Sequence, residues 1–153
     1  AFVGCGFAIR RRLFEEIGWY AEHFFLYQND VDVAFQVYLR GFSIVYDPGC
    51  RVIHRVASAN RSRKRQVFYA TRNSLWLIRM YYTWPGKVYL LASRALIGLL
   101  RGLQFVEPGA YLRGLREGLS AAVERRPLPA RLRKKFVPFW RQNSILHQVL
   151  RRK

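Results

Sequence analysis

The chain has 153 residues, 51% of them hydrophobic and 16% aromatic, which is enough for a core and too apolar for intrinsic disorder. Lys and Arg number 27 against 9 Asp and Glu, a formal charge of +18 that implies a polyanionic partner, either nucleic acid or an anionic lipid surface. Two cysteines, Cys5 and Cys50, exclude a disulfide scaffold and match no metal-binding spacing, and no uncharged apolar run of about 18 residues argues for a spanning helix.

The chain opens with Ala-Phe-Val-Gly inside an apolar run, with neither Met nor a signal-peptide pattern, so a C-terminal part of a longer protein is expected. Charge divides it. Residues 1–59 hold six Arg and six acids, whereas residues 60–153 hold 21 Lys and Arg against Glu107, Glu117 and Glu124 and so carry the whole excess. A neutral part and a part this basic are expected to have different jobs, and the division expected is 1–59, 60–106 and 107–153.

Phe2 to Ile9 reads as a buried strand in which Gly4 and Gly6 mark either a close approach to the backbone or simple packing. Arg11 to Ile17 reads as a short helix stopped by Gly18. The clearest helix is 29–41. Val31, Ala34, Phe35, Tyr38 and Leu39 follow the spacing of one buried face, Asn29 or Asp30 starts it as a cap, and Gly41 ends it. Phe42–Tyr46 and Arg51–His54 read as short strands around an Asp47-Pro48-Gly49 turn. The order strand, helix, helix, strand, strand predicts part of an α/β domain.

Asp30 and Asp32 stand at the mouth of the 29–41 helix, after the aromatic run Phe24-Phe25-Leu26-Tyr27. Acids there suit the helix dipole, and a catalytic carboxylate would be held ionised and rigid in the same place. Arg11-Arg12-Leu13-Phe14-Glu15-Glu16-Ile17-Gly18, then Glu22-His23-Phe24-Phe25-Leu26-Tyr27-Gln28-Asn29-Asp30-Val31-Asp32, then Arg40-Gly41-Phe42, Tyr46-Asp47-Pro48 and His54, and later Tyr69-Ala70-Thr71-Arg72-Asn73, together resemble family 2 glycosyltransferases of the rhamnosyltransferase-like kind that build bacterial surface polysaccharides. The likeness covers about residues 2–80, in motif order.

The resemblance implies the C-terminal part of a GT-A, Rossmann-like α/β domain followed by amphipathic basic helices. It places Asp30 as the base that takes the acceptor's proton in an inverting displacement on a nucleotide-sugar. Asn29, Asp32 and Gly4 fall on the acceptor side, and His54 falls where relatives place a ligand to Mg²⁺ or Mn²⁺. The alternative for His54 is a surface histidine ending a strand. Two departures stand out: Asn29 replaces an acid of the family's pair, and Ala21 replaces an Asp. The family's nucleotide-binding strands do not occur in the chain, and its one Asp-x-Asp, Asp30-Val31-Asp32, is assigned to the base region and not to the metal motif that supplies the main metal ligands, so these residues alone are expected to be inactive.

In the basic part, Arg65, Arg72 and Arg79 are spaced by seven, as are Lys87, Arg94 and Arg101, and Trp84-Pro85-Gly86 separates the two sets. Seven residues make nearly two helical turns, so each set forms a cationic stripe beside broad apolar arcs. That pattern predicts helices lying in a membrane interface, with Trp84 at headgroup level, unless the same helices pack on the neighbouring domain with Arg turned to water. Residues 109–124 read as a shorter basic helix, 125–129 as a linker, and 131–153 as a polybasic tail.

The function expected is glycosyl transfer to a glycan or lipid-linked acceptor, on the cytoplasmic face of the plasma membrane and peripheral to it. A non-catalytic membrane-associated protein and a nucleic-acid-binding module are the alternatives. The second is disfavoured because the apolar residues are aliphatic and helical and no nucleic-acid-binding signature occurs.

Overall fold

Two glycines set the limits of the first helices. Gly18 and Gly41 have φ of 82° and 83°, a conformation that ends a helix and that side-chain-bearing residues adopt at a cost. The computed structural model describes residues 4–55 and 62–142, with side chains to residue 137. Before Gly18 lies α1 (Arg11–Glu16), and before Gly41 lies α2 (Asn29–Leu39), with a 3₁₀ turn at Glu22–Phe24 between them. Then come α3 (Arg63–Tyr81), α4 (Gly86–Gln104), α5 (Pro108–Ser120) and α6 (Ala130–Gln142). The chain divides into two compact units, Ala1–Ser62 and Arg63–Lys153.

The expected α/β fold is overturned. All regular structure among the described residues is helical, and no strand or sheet occurs there. The segments expected as strands, the described part of 2–9 together with 42–46 and 51–54, are irregular. Ile9 and Ile44 pack against a cluster of Leu13, Ile17, Val33 and Val37 from α1 and α2, and Gly6 lies against Val52, whose Cγ2 a Cβ there would meet at 3.1 Å. Val45, Tyr46 and Ile53 are 81–86% exposed. β-Branched and aromatic composition reports a preference for a half-buried pleated surface, not an intrinsic backbone state, and a strand needs a ladder partner to be stable. The Asp47 turn does form, with Gly49 N–H donating to Asp47 Oδ1 at 2.8 Å and Cys50 N–H to Asp47 O at 3.3 Å.

In the second unit α3 is the central element, flanked by α4 and α5, which also touch each other. Val67, Leu75, Leu77, Ile78 and Tyr81 of α3 are almost fully buried. Glycines bring the helices close. A Cβ on Gly114 of α5 would stand 2.7 Å from the Phe68 carbonyl oxygen, and one on Gly118 2.7 Å from Leu75 Cδ1. Gly98 of α4 likewise faces Thr71, where an added Cβ would stand 2.7 Å from Oγ1.

The segment expected as a linker is a strap. Arg126 N–H donates to Met80 O and Leu128 N–H to Tyr81 O, both at 2.9 Å. These bonds satisfy carbonyls that the end of α3 leaves without helical partners. Leu128 is buried beneath the strap, and Leu132 and Phe136, four apart, bury one face of α6. The boundary expected between residues 59 and 60 and the tail beyond 142 lie outside the described residues. The boundary expected at 106–107 separates no body, because α5 packs on α3 and α4.

Candidate functional site

Asp30 sits in the first turn of α2, half-buried, with its Oδ1 accepting from Val31 N–H at 2.9 Å. The start of the helix is not capped by Asn29 or Asp30. The residue before it is Gln28, in a left-handed conformation with φ 70° and ψ −4°. Tyr27 and Phe25 also have positive φ, 64° and 54°. Three such residues among four, none of them glycine, cost on the order of 1–3 kcal/mol each, and strain of this size gathers at binding and catalytic segments. Its visible consequence is display: Phe25 is 60% and Tyr27 39% exposed, while Phe24 is fully buried and anchors the turn.

Tyr20 belongs to the same neighbourhood. Its ring meets Phe14 edge-on at 5.3 Å and Phe7 at 6.4 Å. Burial, and then the negative charge of Asp30, push its hydroxyl above the usual tyrosine range. Sequence reasoning passed over Tyr20, and nothing in its spacing marks it.

Asp32 is different. It is 1% exposed, and its Oδ2 accepts from Gln36 Nε2 at 2.9 Å. Gln36 Oε1 in turn accepts from Arg40 at 3.4 Å, and Arg40 Nη2 donates to Glu16 O at 2.8 Å. This relay compensates a buried carboxylate and ties the end of α2 to α1. The spacing of Asp32, Gln36 and Arg40 by four was the signal in the sequence. Asn29 is half-buried beside Asp30, whereas Gly4 is exposed, with open space where a Cβ would be. A cavity of about 500 Å³ in this unit, lined by Phe7, Ile9, Phe42 and Ile44 among others, does not include Asp30.

His54 is exposed on an irregular segment. Among the described residues no group of three or more His, Cys, Asp or Glu could hold a metal ion. Mg²⁺ and Mn²⁺ require several oxygen ligands, so the residues here do not fit a metal centre and no step below runs through one.

The cationic stripes do not face one way. Arg72 has only 12% of its side chain exposed. Its guanidinium lies over the rings of Trp76, Tyr69 and Phe68 at 4.2, 4.8 and 5.2 Å, donates to Asn73 Oδ1 at 2.9 Å, and reaches Glu117 at 3.7 Å. Arg79 Nη1 and Trp76 Nε1 donate to Gly118 O and Glu117 O, at 2.8 and 3.1 Å, and so neutralise carbonyls at the end of α5. Arg72 and Arg79 are therefore internal packing cations. Arg72→Ala is expected to cost about 1–3 kcal/mol, and Arg72→Lys to recover little of it, since a flat guanidinium stacks where an ammonium does not. Urea midpoints of the three proteins check this.

Arg94 is also turned inward. It lines a crevice with Val67, Thr71 and Ser74, and burial, reinforced by Arg101, brings it down to about 10. Arg101 and Trp84 are exposed, and Lys87 is half-buried. What α4 turns outward is mainly apolar: Val88, Tyr89, Leu96, Leu100 and Leu103 are 46–60% exposed along one side. Among the described residues no helix is long and apolar enough to cross a membrane.

Comparison with family models, curated proteins and solved structures gives no match to this chain.

Proposed function

We propose that the chain takes part in inverting glycosyl transfer from a nucleotide-sugar to a glycan or lipid-linked acceptor at the cytoplasmic face of an anionic membrane, with Asp30 as the base. The observation that supports this reading is the placement of Asp30. It is half-buried at a helix start, behind a strained turn that exposes two aromatic rings, with Oδ2 left over from its bond to Val31. Exposed aromatic residues a few positions before a carboxylate suit a sugar, whose C–H face packs on rings while a hydroxyl reaches the acid. Asp30 takes the proton of the acceptor hydroxyl, that oxygen bonds to the anomeric carbon, and the bond to the nucleotide's diphosphate breaks. The donor and the inverting course rest on the sequence resemblance, and the placement of Asp30 supports its role as the base.

The test is transfer of labelled sugar to extracted glycolipid by the full-length protein and by Asp30→Asn. Loss of transfer without loss of fold supports the reading. Undiminished transfer in Asp30→Asn removes Asp30 as the base, whereas no transfer by either protein sinks the reading and leaves the non-catalytic, membrane-associated one, for which the outward apolar side of α4 is independent support.

That side of α4 carries its own expectation. Leu96→Ser with Leu100→Ser should release the protein from anionic vesicles more fully than Arg101→Gln. Each buried CH₂ contributes about 0.8 kcal/mol that salt does not screen, against about 1 kcal/mol for a whole surface cation. Vesicle co-sedimentation at low and high salt measures both, and no shift in the double variant would remove α4 from the membrane contact.

A further inference from the structure

A second site lies at the corner where α3 meets α4. Tyr82, Trp84, Tyr89 and Leu90 form one wall of a cavity of about 630 Å³, and Val137, Arg133 and Lys134 of α6 form the other. The volume falls within the roughly 300–1,000 Å³ of small-molecule sites, and the lining is mostly apolar with a few convergent polar groups, as such sites require. Arg133 is fixed by a hydrogen bond to the Thr83 hydroxyl, and Lys134 is exposed one residue on.

The surroundings are rich in cations. Residues 79–106 and 125–137 contain no acid at all, and Glu124, next in sequence, is held by Arg126 at 2.6 Å. Lys87, adjacent to the cavity residue Gly86, is held below its ordinary value by partial burial and then by repulsion from Arg125 and Arg79. An anion here would relieve that repulsion. The apolar wall is also continuous with the outward side of α4, because Tyr89 belongs to both, followed by Leu96 and Leu100 along the helix.

We propose that this cavity binds a phosphorylated single-chain amphiphile, its phosphate ester between Arg133 and Lys134 and its alkyl chain against Trp84, Tyr89 and Val137, running out along α4. A nucleotide fits less well. The described lining contains no Asn, Gln, Asp or Glu, whose side chains pair with a base edge, so only the hydroxyls of Tyr82, Thr83 and Tyr89 could meet one. The site belongs to the second unit and is independent of Asp30, so its failure and the failure of the transfer reading are separate results.

The test is calorimetric titration of the full chain with dodecyl phosphate below its micelle concentration, with dodecanol, ethyl phosphate and uridine monophosphate as comparisons. Dodecyl phosphate should bind at least about a hundredfold more tightly than ethyl phosphate, since the chain adds buried CH₂ groups. It should bind about ten- to a hundredfold more tightly than dodecanol, since hydrogen bonds to a charged group are lost in the alcohol. Lys134→Gln, at an exposed position, should weaken dodecyl phosphate without changing the melting temperature. Val137→Asp should weaken it further by setting a carboxylate in the cavity. Equal affinity for dodecanol and dodecyl phosphate, tighter binding of uridine monophosphate, or unchanged binding in both variants would each overturn the assignment.

Discussion

Asp30→Asn is expected to lower glycosyl transfer by about 10²–10⁴-fold, the usual loss on removing a positioned base, while leaving the fold in place. The asparagine carbonyl can accept from Val31 N–H as the carboxylate Oδ1 does, so the first turn of α2 keeps that bond. What disappears is the charge, whose interaction with the helix dipole is worth about 0.3–1 kcal/mol, and with it the basicity. The Tyr20 hydroxyl should report the change without any assay of transfer: one of the two causes that raise it is Asp30, so its titration in Asp30→Asn should move back toward the ordinary tyrosine value. The sign of the stability effect follows. A tyrosine raised in the folded state contributes stability that is present below its unfolded value, near 10, and is lost as pH rises through the folded one, so Asp30→Asn should narrow that alkaline margin.

Asp32 gives the contrast that separates chemistry from packing. Asp32→Ala leaves the Gln36 amide without its acceptor in a buried place, at a cost of about 1–3 kcal/mol, and loosens the relay to Arg40 and Glu16. Its transfer rate should fall only as far as its folded fraction falls. Rates and melting curves of the two variants, measured side by side, distinguish the roles. A full rate in Asp30→Asn, or a rate loss in Asp32→Ala that exceeds its unfolding, would reverse the assignment.

How far these features were legible in the sequence depended on what each signal physically reports. Helix α2 was legible because Gly41 and the spacing of Val31, Ala34 and Phe35 are local facts of the backbone. Its burial was wider than that spacing implied, extending to Asp32 and Gln36, because a relay of polar side chains made a second buried face tolerable. The segments 42–46 and 51–54 misled for the opposite reason: their composition suits a sheet, but a ladder is a non-local property that no run of residues contains. The seven-residue stripes were real, yet spacing states only that cations share a side, not what covers it. Arg72 and Arg79 are covered by the end of α5. Gly98-x-x-x-Gly102 and Gly114-x-x-x-Gly118 were the unused signal, since small residues four apart allow a neighbouring helix to come close.

Those glycines carry large stability effects in the second unit. At Gly114 the atom in the way of a Cβ is the Phe68 carbonyl oxygen, 2.7 Å off, with Phe68 Cα at 3.4 Å and Thr71 Cβ at 3.3 Å. Backbone cannot rotate aside, so the helices α3 and α5 must separate, and their shared contact with Tyr111, Val67 and Ala110 loosens with them. Overpacking of this kind costs about 1–3 kcal/mol beyond the roughly 1 kcal/mol that alanine gains over glycine inside a helix. Gly114→Ala should therefore be destabilised, and Gly114→Val more so. At Gly118 the obstacle is the Leu75 side chain, at 2.7 Å from Cδ1, which can move in part, so Gly118→Ala should cost less than Gly114→Ala. Gly109, in the first turn of α5 with nothing within 4 Å of where a methyl group would stand, is the control: Gly109→Ala should be neutral or slightly stabilising. For a chain of this size each kcal/mol moves the melting temperature by about 2–4 °C, so the order Gly109→Ala, Gly118→Ala, Gly114→Ala should be read directly from thermal melts. Equal melting temperatures for Gly114→Ala and Gly109→Ala would mean that α5 does not lie against the Phe68 backbone, and the internal roles assigned to Arg72 and Arg79, which depend on the same contact, would fall with it.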